Sequence, residues 1–400
     1  MKKDIEYDFV LFENHFWSYH HYIDLMNIAK MLDYNGFSVA IANYADENVY
    51  CKNDKFPIIE IPNRYKRPNR NFCINPKNKI NSFLLRILFE FQQFRYSIYF
   101  LKQIKGLGKN YYAGSFSLEL SLAFVTGTKH KSNFFFWGLR SYNLTNFRHH
   151  LLENPVIGMK AILFNVSFKK KNKLNFFVSN EFIKEEFIKL GINSTKIIVR
   201  PERTIDKLPD LNMNKLSDNF NLLTIGLIRR DKRLEFSLNA FNLLNNSDMT
   251  FTIAGRNAQE KYEHELLKII TDKNNIIRKN YFLDRDEFNK LIEECHFLVL
   301  CDKEQLSTVT NGTMMEALLL NRPIIVPDYL PYNYYVKKYG VGYLFNPTDL
   351  SSLISQINQA KETGVEPFLP LLKEFQKTLL FDISANKFNQ DIKHVLSGSC

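Results

Sequence analysis

The stretch HFLVLCDKEQLSTVTNGTMMEALLLNRPIIVPD, His296–Asp328, decides the fold. Phe297–Cys301 is a short apolar run, too brief for a helix, and it reads as a buried strand. The polar loop Glu304–Gly312 follows, Thr313–Leu320 carries an apolar helix, and RPIIVPD returns as a second strand. A strand, a helix and a strand in that order form a right-handed crossover, so both strands belong to one parallel sheet with helices on its faces.

The same alternation continues upstream. LLTIG from Leu222 is a strand, Leu234–Leu244 a helix, MTFTIAG (Met249–Gly255) a strand, and a helix starts at Tyr262. NIIRKNYFL and the helix Arg285–Cys295 complete this half. At the other end of the chain, Asp8–Phe12 (DFVLF) is a strand, Tyr22–Leu32 a helix stopped by Asn35 and Gly36, and Phe37–Ile41 the next strand. A long amphipathic helix over Phe83–Leu101 is expected to carry Phe83, Ile87, Phe91, Phe94, Ile98 and Leu101 on one stripe and Arg86, Glu90, Gln93 and Ser97 on another. NFFFW (Asn133–Trp137), FFVS (Phe176–Ser179), the helix Glu181–Leu190 capped by Gly191, and KIIVR (Lys196–Arg200) close the first half. Pro201–Phe220, rich in Pro, Asp and Asn, reads as a linker with the boundary near residue 205. The expected architecture is α/β: two doubly wound, Rossmann-like domains, 1–205 and 206–375, with a C-terminal helix in 376–400 packing back towards the first.

Composition limits the function classes. Lys and Arg number 53 against 42 Asp and Glu, a net charge of +11, which favours anionic partners such as phosphate-bearing ligands, anionic lipid or nucleic acid. Five cysteines without CxxC spacing supply neither a disulfide framework nor a zinc site and point to a reducing compartment. The start of the chain shows no export signal, and the most apolar stretch, Phe83–Leu101, is broken by Arg86, Glu90 and Arg95. A cytoplasmic protein is expected. The basic residues lie in separate loops without a zinc-finger, helix-turn-helix or RNA-binding signature, so nucleic acid is not an expected partner.

Two loops of the second half carry candidate chemistry. Thr310, Asn311, Gly312 and Thr313 open a helix whose N-terminal N–H groups and positive dipole end suit a phosphate, although Thr and Asn also serve as simple caps. Glu316, one turn further, is placed to accept hydrogen bonds from ribose hydroxyls, or is a solvated glutamate at a positive helix end. After the strand LLTIG, Gly226 precedes Arg229, Arg230, Lys232 and Arg233 at the C-terminal edge of a parallel strand, where open α/β sheets bind ligands. Asp284 and Asp286 flank Arg285 at a helix start and read as caps, not as a metal-binding DxD pair.

Together, LLTIGLIRRDKRLEFSLNAF, FTIAG, FLDRDEFNKLIEECHFLVL, STVTNGTMMEALLLNRPIIVPD and YGVGYLFNPTDLSSLISQI resemble the GT-B glycosyltransferases. The likeness is to the large family, often called family 4, of bacterial retaining mannosyl-, glucosyl- and galactosyltransferases. It covers about 130 residues of the second half, and the first half follows only in outline. The resemblance implies two domains facing a cleft, a nucleotide-diphosphate sugar as donor with a UDP or GDP linkage expected, and no separate cofactor or metal. It places Lys232 on the donor diphosphate, Glu316 on the ribose, and Gly312 with Thr313 at the diphosphate end of the helix. Arg229 or Arg230 takes the family's basic role beside Gly226, whose usual place directly after the glycine is held by Leu227. Where the family has an acidic residue eight positions before the helix glutamate, this chain has Thr308. In place of a first-domain histidine, FFFWGLRSYN offers Arg140, as a phosphate-charge stabiliser or a structural ion pair; His15, with His20 and His21, lies in the cleft-facing first loop.

The implied reaction is transfer of the sugar, with retention, to a hydroxyl of a glycan or lipid-linked acceptor in surface polysaccharide synthesis. A sugar-nucleotide epimerase of the same fold and a non-catalytic polyanion-binding protein are the alternatives. The loop Arg64–Arg70, the run Lys169–Lys173 and the aromatic helix either form a face for an anionic inner leaflet or are solvated loops beside a core helix.

Overall fold

A computed structural model of the chain describes residues 6–12, 19–44, 55–62, 79–114, 120, 123–124, 132–137, 174–189, 191–200, 216, 219–244, 246–270, 274–303, 311–383 and 385–397. They fall into two compact units, one of residues 1–201 with 382–400 and one of residues 202–381.

The first unit holds a parallel sheet in the order β3-β2-β1-β4-β5-β6-β7. Its strands are β1 (Tyr7–Phe12), β2 (Val39–Tyr44), β3 (Ile58–Ile61), β4 (Gly108–Ala113), β5 (Asn133–Trp137), β6 (Leu174–Val178) and β7 (Ile197–Val199). Alternate side chains leave opposite faces. Val10, Phe12, Phe134, Phe136 and Phe176 enter one core; Phe9, Leu11, Phe135 and Phe177 enter the other. Because both faces are covered, the strands read as unbroken apolar runs in the sequence. Helices α1 (Tyr19–Tyr34) and Ala385–Ser397 cover the second face through Leu25, Ile28, Leu32, Phe388 and Ile392. Helices α2 (Lys79–Ile104) and α3 (Glu181–Lys189) cover the first.

The sequence reading does not anticipate β3 or β4, although β4 lies beside β1 in the middle of the sheet. Its opening, Gly-Lys-Asn, lacks strand character. Gly108 is there because a Cβ would stand 2.7 Å from Val10 Cγ2. The Asn110 amide donates to Asp8 O at 3.0 Å, and the Asn133 amide to Asn110 Oδ1 at 3.2 Å.

The face of α2 is a correction in part: Leu101 is buried and Phe94 and Ile98 pack partly buried against the core, but Phe91 does not follow them. Phe91 is 57% exposed and Leu88 is exposed too, while Glu90, Gln93 and Ser97 are buried. Tyr96, Phe100, Leu101 and Ile104 anchor the C-terminal half in the core. Counting back from them by three and four reaches Ser97, Gln93, Glu90 and Phe89, so the apolar end sets the rotation of the whole helix. The side chains of Phe83, Arg86 and Ile87 lie outside the described residues. No described helix is long and apolar enough to cross a membrane.

The second unit holds a parallel sheet in the order β10-β9-β8-β11-β12-β13. The strands are β8 (Phe220–Ile225), β9 (Met249–Ala254), β10 (Ile276–Lys279), β11 (Phe297–Val299), β12 (Ile324–Pro327) and β13 (Gly342–Phe345). Helices α4 (Leu234–Leu244), α5 (Glu260–Ile270), α6 (Arg285–Glu294), α7 (Gly312–Leu319), α8 (Tyr332–Tyr339), α9 (Leu350–Thr363) and α10 (Leu369–Ile383) follow the strands. Phe375 and Leu379 of α10 belong to this unit's core, and the compact unit runs through Phe381. Cys295 and Cys301 are buried, free thiols, and burial pushes that of Cys295 up to about 12. Strand order reverses between β8 and β11. That topological switch point is where a sheet of this kind opens a crevice at its C-terminal edge.

Candidate functional site

The chain leaves β8 through Gly226, whose φ of +111° suits glycine, and Gly226 N donates to Ala254 O at 3.0 Å. A Cβ on Gly255 would stand 2.0 Å from Gly226 O, so the loops after β8 and β9 cross backbone against backbone. Arg278 fixes this edge from β10. Its Nη1 donates to Ile253 O, Gly255 O and Lys279 O, and its other nitrogens grip Glu263 at 2.9 and 2.8 Å. Beyond Gly226, Arg230–Lys232 form a single 3-10 turn closed by Arg233 in the left-handed region.

That turn and the tip of α7 meet at one carboxylate. Lys232 Nζ lies 2.9 Å from Asp302 Oδ2, on the segment that follows β11. Asn311 caps α7, its Oδ1 accepting from Thr313 N at 2.9 Å and Met314 N at 3.2 Å. The Asn311 amide donates back to Asp302 Oδ2 at 2.9 Å and to Tyr332 OH at 3.0 Å. The Tyr332 hydroxyl also donates to Asp302 Oδ2, and the Tyr329 hydroxyl to the Asp302 carbonyl. Burial and the Asp302 charge hold the Tyr332 phenol well above its usual range.

Glu316 sits one turn into α7 among Met314, Met315, Ala317 and Leu318, and its side chain is only 8% exposed. A solvated helix glutamate is thereby excluded. Arg285, exposed at the start of α6, donates to Glu316 Oε2 at 2.7 Å. Asp284 caps α6, accepting from Glu287 N at 2.8 Å.

Arg229 and Arg230 are engaged elsewhere. Arg229 forks onto Asp231 at 3.1 and 2.9 Å. Arg230 forks onto Glu265 at 2.6 and 2.7 Å and lies over the Tyr262 ring. Both pairs lie largely in solvent, which screens them and leaves them weakly held. Arg140, His15, Thr308 and Thr310 lie outside the described residues, as do Glu304, Arg64–Arg70 and Lys169–Lys173; the side chains of His20 and His21 do as well. Asp302, Tyr332, Arg278 and Arg285 are participants that the sequence reading misses. Each acts by pairing across elements distant in sequence, which no local pattern announces.

Residues 212–376 match the family model described as "Glycosyl transferases group 1". No curated protein matches the chain by sequence. Solved structures do match it along almost its whole length. A glycosyltransferase from Rickettsia africae is 15% identical with a TM-score of 0.66, covering 98% of this chain and 99% of its own. Anabaena HepE in complex with UDP is 13% identical with a TM-score of 0.64 and the same coverage. The lipopolysaccharide outer core galactosyltransferase WaaB is 13% identical with a TM-score of 0.60, covering 96% of this chain and 98% of its own. The fold is GT-B. Within this GT-B chain the family match is confined to residues 212–376, the part that carries Lys232, Asp302, Asn311 and Glu316.

Proposed function

We propose that the protein is a glycosyltransferase that takes a sugar from a nucleoside-diphosphate sugar and joins it to a hydroxyl of a glycan or lipid-linked acceptor. The observation that carries this reading is the meeting of the Lys232 turn with the tip of α7 at the switch point of the unit that matches the glycosyl transferases group 1 model. HepE in complexes with UDP and with UDP-glucose supports a uridine diphosphate donor.

In this reading, breaking the bond between the anomeric carbon and the diphosphate leaves negative charge on the leaving group. Fixed positive charge there lowers the barrier. Lys232 and the N-terminal end of α7 supply it from the chain itself, Glu316 accepts from the ribose hydroxyls, and Arg229 and Arg230 exchange their exposed carboxylate partners for phosphate. Attack of the acceptor on the face the diphosphate leaves gives retention. A place in surface polysaccharide synthesis is supported by the name of WaaB. Attachment to an anionic inner leaflet is supported by exposed Leu88 and Phe91 beside Arg95 on α2.

Thermal unfolding across UDP-, GDP-, ADP- and dTDP-sugars tests the reading. A donor at 100 times its Kd adds about 2.7 kcal/mol of stability. One base class is expected to raise the midpoint, and nucleotide is expected to be released only with acceptor present. Failure of every nucleotide sugar to stabilise the chain would refute the assignment, and interconversion of donor sugars without acceptor would favour an epimerase.

A further inference from the structure

Donor binding alone does not account for Asp302. Its side chain is 4% exposed, and that of Lys232 14%. Lys232, Asn311 and Tyr332 all converge on Oδ2, whereas the buried Oδ1 has no hydrogen-bond partner among the described residues. An amide oxygen would accept the same three donors. What only a carboxylate adds is a negative charge against the Lys232 ammonium, a cation that the donor diphosphate is expected to meet.

We propose that Asp302 is a positioning residue that sets the charge of the diphosphate site. It pins the Lys232 ammonium against the tip of α7 as a neutral pair, so that the leaving nucleoside diphosphate is oriented by the lysine yet held loosely enough to depart. The inference rests on the donor-site reading above. Lys232 is part-buried, and nearly buried Asp302 provides it a counter-charge at 2.9 Å where salt screens poorly. When a diphosphate arrives, the ammonium serves two anions at once. The carboxylate then opposes the ligand's charge at close range, which weakens its hold.

The test is calorimetric titration of the full chain with UDP, GDP, ADP and dTDP, followed by the tightest of them and its nucleoside on Asp302→Asn. The variant is expected to bind that nucleoside diphosphate at least about 5-fold tighter and the phosphate-free nucleoside unchanged. In transfer assays its kcat and KM are expected to fall together, because the product leaves slowly. A purely structural Asp302 gives the opposite result, a lower melting temperature with equal or weaker nucleotide binding, and that overturns the proposal. Lys232→Met and Lys232→Met/Asp302→Asn form a second comparison, in which the double variant buries no lone charge. The double variant is expected to bind more tightly than Lys232→Met; equal or weaker binding overturns the proposal independently of how Asp302→Asn folds. Absence of any nucleotide binding by the wild type would instead remove the donor-site reading itself.

Discussion

Gly226 faces Thr313 across the switch point: a Cβ on Gly226 would stand 3.3 Å from Thr313 Oγ1, and its φ of +111° is one that side chains resist. The loop after β8 and the tip of α7 therefore stand within van der Waals reach of each other. Gly226→Ala is expected to cost about 1–3 kcal/mol by urea unfolding and to weaken nucleotide binding as well. A variant as stable as the wild type would show that the two loops are further apart than described.

Glu316 has the role of a ribose acceptor in this account, so its loss is specific to the nucleoside. Glu316→Gln removes a charged acceptor, a change of about 1.5–3 kcal/mol, or roughly 10- to 100-fold in nucleoside diphosphate affinity. Inorganic pyrophosphate, which has no ribose, is expected to bind both proteins alike. Equal losses for the two ligands in calorimetry would place Glu316 at the phosphates instead.

The rotation of α2 is checked by two phenylalanines. Phe100→Ala, in the core, is expected to cost about 3–5 kcal/mol in chemical denaturation. Phe91→Ala, on the exposed face, is expected to change stability by less than about 0.5 kcal/mol. Comparable losses at both positions would return Phe91 to the core.

Acid is expected to weaken the second unit through His296. Its Nδ1 accepts from Asn221 N at 3.1 Å, and burial lowers its affinity for protons in the fold. A group whose folded value is depressed stabilises the protein above its unfolded value, about 6.5, and that contribution is lost as pH falls through the folded value. The unfolding midpoint is expected to fall between pH 7 and pH 5. His296→Asn, whose Oδ1 accepts without taking a proton, is expected to show a shallower fall; an unchanged slope would assign the acid sensitivity to other groups.

The parallel sheets were legible wherever a strand is buried on both faces, because DFVLF, NFFFW and LLTIG cannot alternate with polar residues. The site was legible where backbone chemistry demands a residue type, as at Gly226 and at Asn311 capping α7. It was not legible where a partner comes from far along the chain. Lys232 and Asp302 are 70 residues apart and Arg285 and Glu316 are 31 apart, and nothing in either neighbourhood requires the pairing. The strand β4 escaped notice because its polar start is satisfied by Asp8 and Asn133 on neighbouring strands. The stripe on α2 was misread in part because phase in a helix of 26 residues is set by the end that packs into the core, here Tyr96, Phe100, Leu101 and Ile104.

A crystal structure of the chain with the nucleoside diphosphate it binds best tests the central claim most directly. The account predicts both phosphates at the switch point of the second unit, within hydrogen-bonding reach of Lys232 Nζ and of the tip of α7 at residues 311–313, with the ribose hydroxyls on Glu316. A nucleotide bound away from these residues, or one whose phosphates point towards solvent with the Lys232–Asp302 pair untouched, would contradict it.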